Sequence, residues 1–210
     1  MIILVGSQKG GVGKSTITVN LAVELAYRQF DVVIVDADSQ RSAAKWHIDR
    51  VEQGREPAIA CVEKVGNIHS TLTDLDKRYD VVIVDVAGKD SRELRTGMIA
   101  ADMLLALTQP SQFDLDTFQH LNEVIEEALD LNSGLVVRGL LTRASVNRKV
   151  TESQEAGEYL AEFPLIKPLN TIIHDRKAYR DVIPEGLGVV EWRNGAARAE
   201  IRSLTDEVMS

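Results

Sequence analysis

GSQKGGVGKST, residues 6 to 16, stands between an apolar run, IILVG (2 to 6), and a helix-like stretch that starts at residue 14. A glycine-rich turn in that position gathers backbone N–H groups and the positive end of a helix around an anion. Gly10, Gly11 and Gly13 allow close approach to phosphate oxygens, Lys14 neutralises β- and γ-phosphate charge, and the Ser15 hydroxyl holds Mg²⁺. The usual phosphate-loop pattern, G-x-x-x-x-G-K-[ST], requires a glycine where this chain has Gln8, so the strict pattern fails. A second lysine, Lys9, stands ahead of the glycines, and what it does so close to a polyphosphate is the question this stretch poses.

Outward from the loop, short Val- and Ile-rich runs recur at residues 2 to 6, 32 to 36, 58 to 63, 81 to 85, 103 to 108 and 135 to 142. They lack polar alternation, which is the habit of strands covered on both faces in parallel sheets. Helical patterns fall between and after them at 14 to 28, 41 to 50, 68 to 77, 114 to 131 and 150 to 162. The alternation predicts an α/β fold, a doubly wound and mainly parallel sheet with helices on both faces and its ligand at the carboxyl ends of the strands. Residues 175 to 210 read as mixed loop and helix closing over one side.

The chain of 210 residues suits one domain spanning 1–210. It begins MIILVGSQ, so the core strand starts at once and no N-terminal DNA-binding extension is expected. No run approaches the ~20 apolar residues of a membrane span. The single cysteine, Cys61, excludes an internal disulfide framework and a Cys-rich metal site, fits a reducing cytoplasm, and reads as a small buried residue. A net charge of −8 argues against nucleic acid over the whole surface while leaving room for a local basic patch. His47, His69, His120 and His174 show no metal-ligand spacing and receive no role, and Trp46 and Trp192 read as packing residues.

KGGVGKST (9 to 16) resembles the deviant Walker A motif of the ParA/MinD family of ATPases, whose mark is the early lysine. The resemblance implies that Lys9 reaches the phosphates of the ATP bound by a partner chain, so that ATP binding and homodimer formation become one event. It assigns catalytic roles to Lys9, Lys14 and Asp38, and nucleotide contacts to Gly10, Gly11, Val12, Gly13, Lys14, Ser15 and Thr16. VVIVDADSQ (32 to 40) resembles the family's switch I, D-x-D-P-Q, with Ser39 in place of the proline. There Asp38 orients or deprotonates the attacking water, and Asp36 supports the Mg²⁺ shell. VVIVDVAG (81 to 88) has the form of a Walker B strand, so Asp85 is expected to hold Mg²⁺ with Ser15, ahead of a switch II loop at Ala87 and Gly88. Gln109, Pro110, Thr142 and Arg143 sit where family members touch the base or transmit the switch.

The tail resembles that of the short plasmid-partition type, which implies a cytoplasmic ATPase that becomes nucleoid-associated with ATP and works with a separate centromere-binding protein. Nonspecific DNA binding needs Lys and Arg against phosphates. RGLLTRASVNRK (138 to 149) offers Arg148 and Lys149 among its bases, and RKAYR (176 to 180) offers Arg176, Lys177 and Arg180. A membrane-associated regulator of the MinD kind is a second reading, but the tail has acids among Ile201, Leu204 and Val208 and no aromatic residue after Trp192, so a packed helix and no membrane contact are expected. A ParA-like positioner of a protein cargo is the third.

Overall fold

The computed structural model describes residues 1–110, 115–147, 159–160 and 162–210. Seven strands form one sheet: β1 (Ile2–Gly6), β2 (Val32–Ala37), β3 (Ala60–Glu63), β4 (Val81–Val86), β5 (Met103–Thr108), β6 (Val136–Ala144) and β7 (Lys167–His174). Their spatial order is β3-β2-β4-β1-β5-β6-β7, and every pairing is parallel. The helices are α1 (Lys14–Tyr27), α2 (Ser42–Glu52), α3 (His69–Asp76), α4 (Arg92–Ala100) and α5 (Leu115–Leu131), followed by a short helix (Lys177–Val182) and a C-terminal helix (Gly195–Val208).

Alternation within β1 shows why the sheet is covered twice. Ile3 and Val5 join a core with Ile17, Leu21 and Leu25 of α1, Trp46 of α2, and Ile201, Leu204 and Val208 of the C-terminal helix. Ile2 and Leu4 face the other way, into Leu72 of α3, Leu94 and Met98 of α4, and Val124 and Ile125 of α5. Each such side chain, fully removed from water, contributes about 1.5–3 kcal/mol. The expectation of a doubly wound parallel sheet is met. The apolar face of the C-terminal helix is spent on this core, with Ile201, Leu204 and Val208 at 0–2% exposure, so the helix packs as expected and presents no apolar face outward. Asn194 caps it, its side-chain oxygen accepting from the Ala197 N–H at 3.0 Å.

Two elements were not anticipated. β7, KPLNTIIH, interrupts its apolar residues with Pro168 and Asn170, which an edge strand tolerates because one side of its backbone has no partner to satisfy. α4, RELRTGMIA, is only nine residues long and carries a central glycine. The helix expected over 150 to 162 lies largely outside the described residues. Among the described residues, no helix is long and apolar enough to cross a membrane.

Candidate active site

β1 sits between β4 and β5, where the strand order reverses, and such a switch point leaves a crevice at the carboxyl ends of the strands. The loop after β1 fills it. Gly11 and Gly13 take φ of 79° and 99°, a left-handed backbone that favours glycine, and α1 begins at the next residue. Lys14, at the first position of α1, is 7% exposed, and its Nζ donates to Ser7 Oγ at 3.2 Å. Burial pulls its ammonium below the ordinary lysine value, against the opposing pull of Asp85 and Asp38. A buried cation beneath an arc of backbone N–H groups at a helix start is an arrangement that holds a phosphate chain.

A cavity of about 570 Å³ opens over this loop. Gly10, Gly11, Val12, Gly13, Lys14, Ser15, Thr16 and Asp38 line it, together with Gly88, Thr142 and Arg143. These residues come from four separate stretches of chain, and the fold brings them to one place. Lys9 is on the same loop, its carbonyl accepting from Ser7 Oγ at 2.6 Å.

Three residues expected at the nucleotide base or in switch transmission bond to the loop itself. Gln109 Nε2 donates to the Gly11 carbonyl at 3.0 Å, and Arg143 Nη1 donates to the same oxygen at 2.7 Å. Thr142 Oγ1 reaches the Val12 carbonyl at 2.8 Å and the Thr108 carbonyl at 3.1 Å. Arg143 holds a left-handed φ of 54°, uncommon for a side chain of its size. Gln109 and Pro110 do not line the cavity; Gln109 braces the loop from behind.

The carboxylates divide by environment. Asp36 and Asp85 are in register on β2 and β4, and both are buried. Asp36 is committed to backbone, accepting from Asp38 N at 3.1 Å and Ala44 N at 2.8 Å, where it anchors the start of α2. Asp38, on the loop beyond, accepts from Gln40 N at 2.9 Å and faces the cavity. Asp85 is 0% exposed, and neither of its carboxylate oxygens has a partner in hydrogen-bond geometry. Burial and the neighbouring Asp36 push its carboxyl up to about 7; Ser15 and Lys14 are close enough to pull the other way.

Residues 3–202 match the CobQ/CobB/MinD/ParA nucleotide binding domain. The carboxysome-distribution protein A of Gloeobacter kilaueensis is 33% identical over 219 residues, covering 99% of this chain and 93% of that protein. Its namesake from Halothiobacillus neapolitanus is 28% identical, over 98% and 94% of the two chains. A plasmid partition protein of Borrelia burgdorferi, solved with AMPPNP, superposes with a TM-score of 0.75 at 17% identity, covering 99% of this chain and 98% of that one. The chain belongs to the ParA/MinD family.

As a ParA/MinD-type ATPase it has a donor set that suits a divalent cation. A buried carboxylate with both oxygens unsatisfied is costly unless charge compensates it, and Asp85 with the Ser15 hydroxyl offers hard oxygen ligands of the kind Mg²⁺ takes, several positions being left to water. Asp36, in register beside Asp85, has each of its oxygens held by a backbone N–H.

The structure adds cavity residues that the sequence reading passed over: Gln40, Ser42, Trp46, His174, Asp175 and Tyr179. Gln40 belongs to the switch I stretch and was within reach of it; the others come from segments with no motif. Arg176 and Arg180, read as DNA contacts, line the same cavity. Arg176 is paired with Glu200, Arg180 with Asp175 and Lys177 with Asp181. The stretch is therefore much less positive than its spelling suggests. Arg148 and Lys149 lie outside the described residues.

Proposed function

We propose that the protein is a positioning ATPase in which ATP and Mg²⁺ join two subunits, the dimer holds DNA without sequence preference, and a cargo-bound partner stimulates hydrolysis and release. The observation that carries this reading is the loop's two lysines. Lys14 is buried at the start of α1 and lines the cavity, whereas Lys9, five residues earlier on that loop, is half-buried and does not line it. A cation that meets its target only across a subunit boundary ties assembly to ATP, because binding that favours the dimer stabilises it by mass action.

In this reading Gly10 to Thr16 hold the phosphates, Ser15 and Asp85 hold Mg²⁺, which neutralises charge on the β- and γ-phosphates, and Asp38 orients the attacking water. Two relatives named for carboxysome distribution favour a protein assembly as cargo. A DNA cargo is the other reading, supported by the chromosome-partitioning ATPase Soj of Thermus thermophilus at 26% identity.

The test is binding of the purified protein to random-sequence DNA without nucleotide, with ADP, and with ATP plus Mg²⁺, at low and high salt, alongside its oligomeric state. Dimers and DNA binding confined to ATP, with binding lost in high salt, support the proposal. DNA binding indifferent to nucleotide, or a monomer in every condition, overturns it.

A further inference from the structure

We infer that Glu200, on the C-terminal helix, is a positioning residue for the part of the nucleotide beyond its phosphates, acting through His174, Arg176 and Tyr179. The inference rests on the reading of the cavity as the ATP pocket. Glu200 does not line the cavity, yet its carboxylate binds three side chains that do. Oε1 accepts from His174 Nδ1 at 2.8 Å and from Arg176 Nε at 2.8 Å and Nη2 at 2.7 Å. Oε2 accepts from the Tyr179 hydroxyl at 2.9 Å and the His174 backbone N–H at 3.4 Å.

The carboxylate is 11% exposed, so these bonds are shielded from competing water. One group thus fixes three rotamer-rich side chains from the end of β7 and the short helix that follows it. It also balances the charge of Arg176. The loop side of the cavity is cationic through Lys14, which suits phosphates. On the wall built by residues 173–184, Arg176 is neutralised by Glu200 and Arg180 by Asp175 at 2.6 Å. Burial, reinforced by Glu200, raises the Tyr179 phenol above its ordinary value and keeps it a neutral donor. A wall of paired charges and a neutral phenol complements an uncharged sugar and base better than a fourth anionic group.

Glu207, two turns further along the same helix, is the internal control. It accepts from Asn170 and Thr171 of β7, residues that do not line the cavity. Titrations of ATP, ADP and inorganic tripolyphosphate into wild type, Glu200→Ala, Glu200→Gln and Glu207→Ala decide the matter. Glu200→Ala is expected to weaken ATP and ADP by about tenfold each, the effect of a half-buried arginine and a buried phenol left unpaired, while tripolyphosphate affinity and kcat at saturating ATP stay unchanged. Glu200→Gln keeps an acceptor oxygen and recovers part of the loss. Glu207→Ala lowers the melting temperature and leaves all three affinities alone.

Unchanged ATP affinity in Glu200→Ala overturns the inference, as does an equal loss of tripolyphosphate binding, which would mark general damage. If Glu200→Ala does not fold, the near-isosteric Glu200→Gln carries the comparison, and wild-type ATP affinity there overturns the inference too. Failure of the pocket reading looks different: Lys14→Ala would then leave ATP binding intact.

Discussion

Gly88, two residues past β4, packs directly against the Lys9 backbone of the phosphate loop. A Cβ built on it meets the Lys9 carbonyl oxygen and stands 2.6 Å from the carbonyl carbon and 2.7 Å from Gly10 N. These neighbours are backbone atoms that cannot rotate aside, so the loop after β4 and the phosphate loop fit together only with glycine here. A loop responding to the far end of the nucleotide would thereby move Lys9. Gly88→Ala is expected to leave the fold intact and to lower ATP turnover by roughly 10²-fold, the effect of an ångström-scale displacement of binding groups. Turnover by the folded variant at the wild-type rate would show that the contact can relax without consequence.

Thr142 tests whether the loop is braced from behind. Its single hydroxyl proton lies within reach of both the Val12 carbonyl, at 2.8 Å, and the Thr108 carbonyl, at 3.1 Å, and the residue is 1% exposed. Thr142→Val keeps the shape and removes the one donor that these two carbonyls share. The expected loss is about 1–3 kcal/mol in urea unfolding, together with weaker nucleotide binding. A variant as stable as wild type would mean that water replaces the hydroxyl.

The sequence spelled out the loop and the strand ends because those positions are dictated locally. Glycines with left-handed φ, a lysine at a helix start and carboxylates after Val/Ile runs each carry their reason within a few residues. The six strands it located are those with continuous apolar runs. β7 escaped because its edge position removes the demand for such a run, and Pro168 and Asn170 read as breakers. α4 escaped because Gly97, a poor helix former, is needed there: a Cβ would approach Leu4 Cδ1 to 2.9 Å. Glu200 was illegible for another reason. Its partners are 21 to 26 residues away, and only the packing of the C-terminal helix on β7 and the short helix brings them together. The same packing pairs Arg176 with Glu200, which turned a basic stretch of sequence into part of a cavity wall.

Asp85 predicts opposite effects with and without cation. In the nucleotide-free protein, a fully buried carboxylate with no partner in hydrogen-bond geometry is a cost to folding that nearby Ser15 and Lys14 only partly offset, and Asp85→Asn removes the charge. The melting temperature of the nucleotide-free variant should rise by roughly 2–4 °C, the response of a domain this size to about 1 kcal/mol. The further increase that Mg²⁺ with ATP gives wild type should disappear. Calorimetric scans of both proteins with and without Mg²⁺ and ATP check the pair of signs, and a variant still stabilised by Mg²⁺ as wild type is would remove Asp85 from the cation site.

Cys61 should be nearly inert as a thiol. Burial, with Asp36, Glu63 and Asp85 nearby, pushes it up to about 12, so almost none of it is thiolate near neutral pH, and thiolate is the reacting form. Reaction with a disulfide reagent at pH 8 should be slower than that of the urea-unfolded chain by about 10²-fold or more. Equal rates would mean that the strand β3 edge opens readily.

Glu207 gives the pH dependence its sign. Burial works to raise its carboxyl, but the bonds donated by the Thr171 hydroxyl at 2.5 Å, by the Asn170 and Thr171 backbone N–H groups at 2.8 and 2.7 Å, and by the Asn170 amide outweigh it and hold the group below its ordinary value. A carboxyl depressed in the folded state binds fewer protons there than in the unfolded chain. Its contribution is therefore fully present above the ordinary glutamate range and is lost as pH falls through the lower folded value. Glu93, bonded to Gly66 N, and Asp90, held by Arg95, act with the same sign and remain in place when Glu207 alone is changed. Urea unfolding of wild type and Glu207→Gln from pH 7 to pH 3 should show a stability gap that is widest above about pH 5 and closes toward pH 3. A gap of constant width would mean that Glu207 contributes through packing alone, and that its bonds to β7 do not depend on its charge.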